Sequence, residues 1–87
     1  MHESGLIEDL IQKIEAVARQ NSARKIVGVE VLIGALAPIG ADHLREHFQI
    51  AAIGTLAEGA ELRVTVSDDP CDPNSTGVLL QSVEVET

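Results

Sequence analysis

Met1, His2 and Glu3, the first three residues, have the types and spacing that could most directly do chemistry. The α-amine of Met1, the backbone nitrogens that follow it and the imidazole of His2 can close fused chelate rings around one metal ion. All-nitrogen, square-planar coordination is the arrangement that Ni(II) and Cu(II) favour. The ends of chains are commonly frayed and solvated, so this pattern leaves a metal site and an unligated terminus as alternatives.

Two further histidines, His43 and His47, stand four residues apart. On a helix this spacing brings two side chains to one flank, one turn apart, where they could hold a transition metal. The neighbouring residues Asp42, Arg45 and Glu46 are typical of a solvated helix face. The pair therefore predicts either a second metal site or an ordinary exposed surface.

Cys71 is the single cysteine of the chain. It cannot supply the four ligands of a structural zinc site, and it cannot form an intrachain disulfide. A reducing cytoplasm is therefore the simplest compartment. The acidic neighbours Asp69 and Asp72 argue against an activated thiolate. We interpret Cys71 as a loop residue rather than as a metal ligand.

The composition excludes several classes of function. The 87 residues suffice for one small domain, and Phe48 is the only aromatic residue. Binding of nucleic acid is disfavoured, because base stacking needs aromatic side chains and the net charge of −8 repels phosphates. No apolar stretch approaches the roughly 18 residues of a membrane helix, so no membrane insertion is expected. No nucleophile and base stand in a recognisable pattern, so we expect no enzyme.

The hydrophobic period changes along the chain between the spacing of a helix and that of a strand. It predicts helices near 4–20 and 41–53 and strands near 26–34, 60–67 and 78–86. The first strand is the most apolar, so we expect it at the centre of the sheet. The order α-β-α-β-β indicates an α+β fold, a single domain over residues 1–87 with two helices packed on one face of a three-stranded sheet.

Strict alternation along the strands predicts which side chains share a face. The first strand would present one apolar face, formed by Val27, Val29, Val31 and Ile33. The last strand would present another, formed by Leu79, Val83 and Val85.

Five segments share their residues with one known family. They are Met1-His2-Glu3, the strand from Val29 to Gly34, Leu44-Arg45 with Phe48, the run Gly54-Thr55-Leu56-Ala57-Glu58-Gly59-Ala60-Glu61-Leu62, and the end Ser82-Val83-Glu84-Val85-Glu86. On these segments the chain resembles the HypA/HybF family, the nickel-insertion proteins of nickel–iron hydrogenase maturation.

The resemblance implies a nickel site at the amino terminus. Met1 would supply its amine, His2 its backbone nitrogen and imidazole, and Glu3 a backbone nitrogen, together holding one Ni(II). The expected partners are an apo-hydrogenase or related enzyme subunit and a GTPase of the HypB type, in the cytoplasm. The alternative is a structural or interaction module that has kept the fold and no longer binds or transfers nickel.

One departure from the family concerns the connection between the last two strands. Family members insert a zinc domain there, carried by two Cys-x-x-Cys pairs, whereas this chain has a short turn at about 68–77 that includes Cys71 as a remnant. No zinc is expected. The nickel domain should still fold, since the entropy of closing a loop changes slowly with its length. Ser4-Gly5 also departs from the family, which usually has a hydrophobic residue at position 4.

Overall fold

A computed structural model gives the structure of the chain and describes residues 3–73 and 75–87. The elements are, in order, α1 (Glu3–Gln20), β1 (Lys25–Ile33), α2 (Ala41–Ala51), β2 (Glu61–Val66) and β3 (Val78–Glu86). The predicted order α-β-α-β-β and the α+β class are confirmed. The predicted boundaries agree with the observed ones to within two residues.

Strand β1 lies at the centre of the sheet, as predicted, because the strand order is β2-β1-β3. It pairs in parallel with β2 and antiparallel with β3. The parallel pair requires a crossover connection, and α2 lies within it. Helix α1 precedes β1 and α2 follows it, so each flank of β1 in the sequence supplies one helix.

The hydrophobic core lies between the helices and the inner face of the sheet. Its residues are almost entirely aliphatic. They come from both helices, from β1 and β2, and from the connections between these elements. The buried set comprises Ile7, Leu10, Ile11, Ile14, Ala18, Ile26, Val29, Val31, Ile33, Ile39, Leu44, Phe48, Ala52, Ala57 and Leu62. None of the helices in the described part of the chain is long and apolar enough to cross a membrane.

A bulge in β1 overturns one prediction about its faces. Ile26 pairs with Val85 and Gly28 pairs with Glu84, so Val27 is an extra residue on β1. A bulge of this kind interrupts the alternation of side chains. Ile26 is consequently 0% exposed and Val27 is 39% exposed. The prediction that Val27 shares a face with Val29, Val31 and Ile33 is wrong, and Ile26 lies on the core face instead.

A second register shift places an extra residue on β3. It lies between Glu30 and Val31 of β1 and leaves Gln81 as an extra residue on β3. Leu80 packs against the core, whereas Leu79 is 45% exposed. The prediction that Leu79 shares a face with Val83 and Val85 is therefore wrong for the same physical reason.

Both ends of the connection between β2 and β3 are hydrogen-bonded to the end of β1. The backbone N–H of Ser67 donates to the carbonyl of Ile33 at 2.8 Å, and the N–H of Gly34 donates to the carbonyl of Gly77 at 2.9 Å. Ile33 and Gly34 are adjacent at the end of β1. The two ends of the connection therefore lie on opposite sides of the end of β1, about two strand spacings apart.

Candidate metal-binding site

Of the predicted nickel ligands, the structure describes the backbone of Glu3. Met1 and His2 lie outside the described residues, and their role stays a prediction. Glu3 is the first residue of α1, a helix of 18 residues. The helix is held against the core from Ile7 onward, since that side chain is buried. Glu3 is therefore about one helical turn from a firmly packed position.

A shallow groove of about 140 Å³ runs beside the first turns of α1. It separates that part of the helix from the beginning of β3, and Leu6, Asp9, Lys13, Val78 and Leu80 are among its lining residues. Asp9 is the one carboxylate in this lining. The groove is mainly aliphatic and carries one charge of each sign, so it offers no set of metal ligands by itself.

The structure brings His43 and His47 together on α2. Their ring centroids are 4.4 Å apart, with the ring planes inclined by 60°. His43 is exposed and His47 is half-buried. On the same helix Arg45 forms an ion pair with Asp42 at 3.3 Å. The expectation from their spacing, that the two imidazoles share one flank, is confirmed, and their binding of a metal stays a prediction.

The structure places Cys71 in the connection between β2 and β3. The thiol is exposed, and the backbone N–H of Cys71 donates to Oδ1 of Asp69 at 2.9 Å. The N–H of Asp69 in turn donates to Oγ of Ser67 at 3.2 Å. Within residues 3–73 and 75–87, no three His, Cys, Asp or Glu side chains are grouped so as to hold a metal ion. Cys71 is thus part of a local turn rather than of a ligand cluster.

An ionic cluster on the outer face of the sheet was missed by the sequence analysis. Arg63 of β2 forms ion pairs with Glu30 of β1 at 3.8 Å and with Glu61 at 3.9 Å, and it donates a hydrogen bond to Glu84 of β3. That hydrogen bond, joined by the attraction of the three carboxylates, raises the pKa of Arg63 above its ordinary value. One guanidinium therefore links all three strands.

Gly28 explains how the contact between Arg63 and Glu84 can pass over the central strand. A Cβ atom at Gly28 would lie 3.2 Å from Oε2 of Glu84 and 3.4 Å from Nη1 of Arg63. A side chain there would push against the pair. An isolated glycine inside a strand pattern often marks such a close approach, so Gly28 is the signal in the sequence that could have indicated this cluster.

Comparisons with known proteins agree on one family. The family model described as "Hydrogenase/urease nickel incorporation, metallochaperone, hypA" matches residues 1–72. The HypA hydrogenase maturation factor of Chlorobium limicola is 45% identical over 64 residues, which cover 74% of this chain and 55% of the relative. The HypA of Klebsiella pneumoniae is 37% identical over 71 residues, covering 82% of this chain and 62% of the relative.

The fold agrees as well. The solution structure of the Ni metallochaperone HypA from Helicobacter pylori superposes with a TM-score of 0.81 at 19% identity, covering 99% of this chain and 98% of that one. The chain spans little more than half the length of the curated relatives it matches. Together, the family match over most of the residues and relatives above 30% identity show that the chain belongs to the HypA family of nickel-incorporation metallochaperones.

Proposed function

We propose that this chain binds one Ni(II) through Met1, His2 and Glu3 and carries it to a nickel enzyme during maturation. The observation that carries the proposal is the start of α1 at Glu3, directly after Met-His, in a member of a nickel metallochaperone family. The acceptor would be an apo-hydrogenase or a related enzyme subunit. A GTPase of the HypB type would assist the transfer, in the cytoplasm.

The position of Glu3 favours its backbone nitrogen as a ligand. The first four N–H groups of an α-helix have no carbonyl acceptor within the helix. Glu3 heads α1, so helix formation does not require its N–H. With the amine of Met1 and the backbone nitrogen and imidazole of His2, this gives four nitrogens, the number that a square-planar Ni(II) ion takes.

The packing of α1 favours a carrier rather than a permanent metal centre. The helix is fixed to the core by Ile7 and Leu10, whereas the three proposed ligands precede that fixed part. An acceptor protein could therefore approach the ion from several sides and replace one nitrogen at a time. The net charge of −8 also favours the approach of a cation over that of an anion.

The same proposal has consequences for catalysis and for the partners of this chain. The curated relatives are named hydrogenase maturation factors, and we infer that this chain likewise performs no catalysis and acts by handing over its cargo. A negative protein surface suits contact with basic partner proteins and disfavours contact with nucleic acid.

The competing proposal is an interaction module that keeps the fold without carrying nickel. A single cysteine favours it, because no Cys-x-x-Cys pair can be formed from one thiol. Such a module would still bind a maturation target, through its surface alone. Nickel titration separates the two proposals, since the module would show no nickel site at the amino terminus.

The experiment is a Ni(II) titration of untagged protein that begins at Met1, followed by visible absorption. About one equivalent should produce the band of a square-planar, four-nitrogen site. His2→Ala should abolish the band, because the imidazole is lost. A histidine-free extension of several residues before Met1 should also abolish it, because the amine becomes an amide. A single added residue is unsuitable, since it would place His2 third in the chain and create a new terminal chelate.

His43→Ala and His47→Ala serve as controls for this titration. Both remove an imidazole from α2 and should leave the square-planar band nearly unchanged. Survival of the band in both the His2→Ala protein and the extended protein would contradict the terminal chelate. Absence of the band in the unaltered protein would favour the interaction module.

A further inference from the structure

We propose that His43 and His47 form a second metal site, an open two-imidazole chelate for a divalent transition-metal cation such as Ni(II). This site is distinct from the terminal one and shares no ligand with it. It would bind the ion on the surface of α2 while leaving several coordination positions to water. Three properties of the molecule support this site: the position of the two rings, the rigidity of the helix and the chemistry of imidazole.

The two rings are already close to the arrangement that a shared ion needs. Their centroids are 4.4 Å apart, which places the rings in contact across one turn of α2. Small rotations about the two side-chain torsions of each histidine can turn one nitrogen of each ring toward a common point. Pairs of histidines at this helical spacing are a recurring way of binding zinc.

The backbone beneath the two rings is fixed by the core. His43 is followed directly by Leu44, and His47 is followed directly by Phe48, and both of these core residues are essentially buried. The backbone at each histidine is therefore held in place by a neighbour that cannot move without opening the core. A site built on such an element loses less entropy when the metal binds than a site on a loop.

The ligands and the surrounding charges favour a particular class of cation. Neutral imidazole suits Ni(II), Cu(II) and Zn(II), whereas Mg(II) and Ca(II) prefer oxygen ligands. Asp42 and Glu46 stand on the same helix, and the one cation between them, Arg45, is paired with Asp42. The local charge is thus negative, which favours the binding of a cation.

The site would be open because, within the part of the chain that the structure describes, His43 and His47 are not joined by a third ligand. In the described ranges, no third His, Cys, Asp or Glu joins His43 and His47 in a group able to hold a metal. Water would occupy the remaining positions and would exchange readily for the ligands of another protein. Ni(II) held by two imidazoles and water is six-coordinate and paramagnetic, whereas a square-planar Ni(II) ion is diamagnetic. The two proposed sites therefore give different signals.

The experiment uses His2→Ala protein with a histidine-free extension before Met1, so that the terminal chelate is absent. The chain has three histidines, and only His43 and His47 remain in this protein. Added Ni(II) should bind with a measurable heat in calorimetry and should broaden the ring proton signals of both histidines in NMR spectra. Zn(II) should compete for the same site without broadening.

Three variants of this protein test the chelate. His43→Ala and His47→Ala should each weaken Ni(II) binding roughly tenfold or more, because a single imidazole loses the advantage of a linked second ligand. The matched control combines His47→Ala with Gln49→His and keeps the number of histidines. It places the two rings about 9 Å apart along the helix and about 120° apart around it, and it should bind no better than His47→Ala alone.

Two results would overturn this inference. One is unchanged Ni(II) affinity in both single variants, and the other is parental affinity in the matched control that combines His47→Ala with Gln49→His. Circular dichroism of each variant establishes that α2 is still folded, so that a loss of binding reflects the loss of a ligand. These outcomes are independent of the terminal site, because that site is absent from every protein compared.

Discussion

The adjacent residues Ile26 and Val27 give a sharp test of the register of the sheet. Ile26 is 0% exposed and lies in the core, whereas Val27 is 39% exposed. Replacing a buried isoleucine with alanine costs about 2–5 kcal/mol, so we take about 3 kcal/mol for Ile26→Ala. Full burial of a valine contributes about 1.5–3 kcal/mol. Val27 is buried only in part, and its truncation removes only part of the side chain, so Val27→Ala should cost about 1 kcal/mol or less.

The assay is unfolding in urea followed by far-ultraviolet circular dichroism, because the chain has no Trp or Tyr for intrinsic fluorescence. A small domain of this size unfolds with a slope of about 1 kcal/mol per molar urea. The midpoint should therefore fall by about 3 M for Ile26→Ala and by about 1 M or less for Val27→Ala.

Ile26→Val provides a milder change at the same site. It should cost about 0.5–1.5 kcal/mol. The total stability of a domain of this size is about 4–13 kcal/mol, so Ile26→Val can still be measured if the Ile26→Ala protein is largely unfolded without urea. Strict alternation from Val29 and Val31 would place Val27 in the core and predicts the opposite order of costs. A larger loss for Val27→Ala than for Ile26→Ala would therefore refute the bulge.

Two further predictions concern the second bulge and metal removal. Leu80→Ala should lower the urea midpoint more than Leu79→Ala, because Leu80 packs against the core and Leu79 is largely exposed; equal midpoints would contradict the register shift at Gln81. Treatment with EDTA should leave the thermal unfolding temperature unchanged, since we expect no structural zinc and such sites contribute folding energy where they exist. Elemental analysis that finds one tightly held zinc per chain would contradict this and would point to His43, His47 and Cys71.

The elements could be predicted from the sequence because each one buries a single face. In α2, for example, Leu44 and Phe48 are one turn apart and both are buried, which is the spacing that the hydrophobic period detects. The faces of β1 and β3 could not be predicted in full. A bulge depends on the register with a partner strand, and that register involves residues such as Val27 and Gln81 whose types give no local sign of it.

The candidate sites also differ in how far the sequence could predict them. The proximity of His43 and His47 follows from helical spacing alone. The cluster around Arg63 joins residues of three strands and requires the strand order, which the local pattern does not contain. The proposed nickel ligands Met1 and His2 depend on resemblance to a family, because neither periodicity nor composition distinguishes a chelating terminus from a solvated one.

The two ends of the β2–β3 connection are fixed on either side of the end of β1, which makes this position suitable for protein engineering. Because Ser67 and Gly77 are each hydrogen-bonded to the end of β1, a foreign segment placed between them needs to span only two strand spacings, about 10 Å, across that end. Each doubling of the connection should cost only about 0.6 kcal/mol of loop entropy. A reporter or an affinity module could therefore be grafted there, leaving the amino terminus untagged.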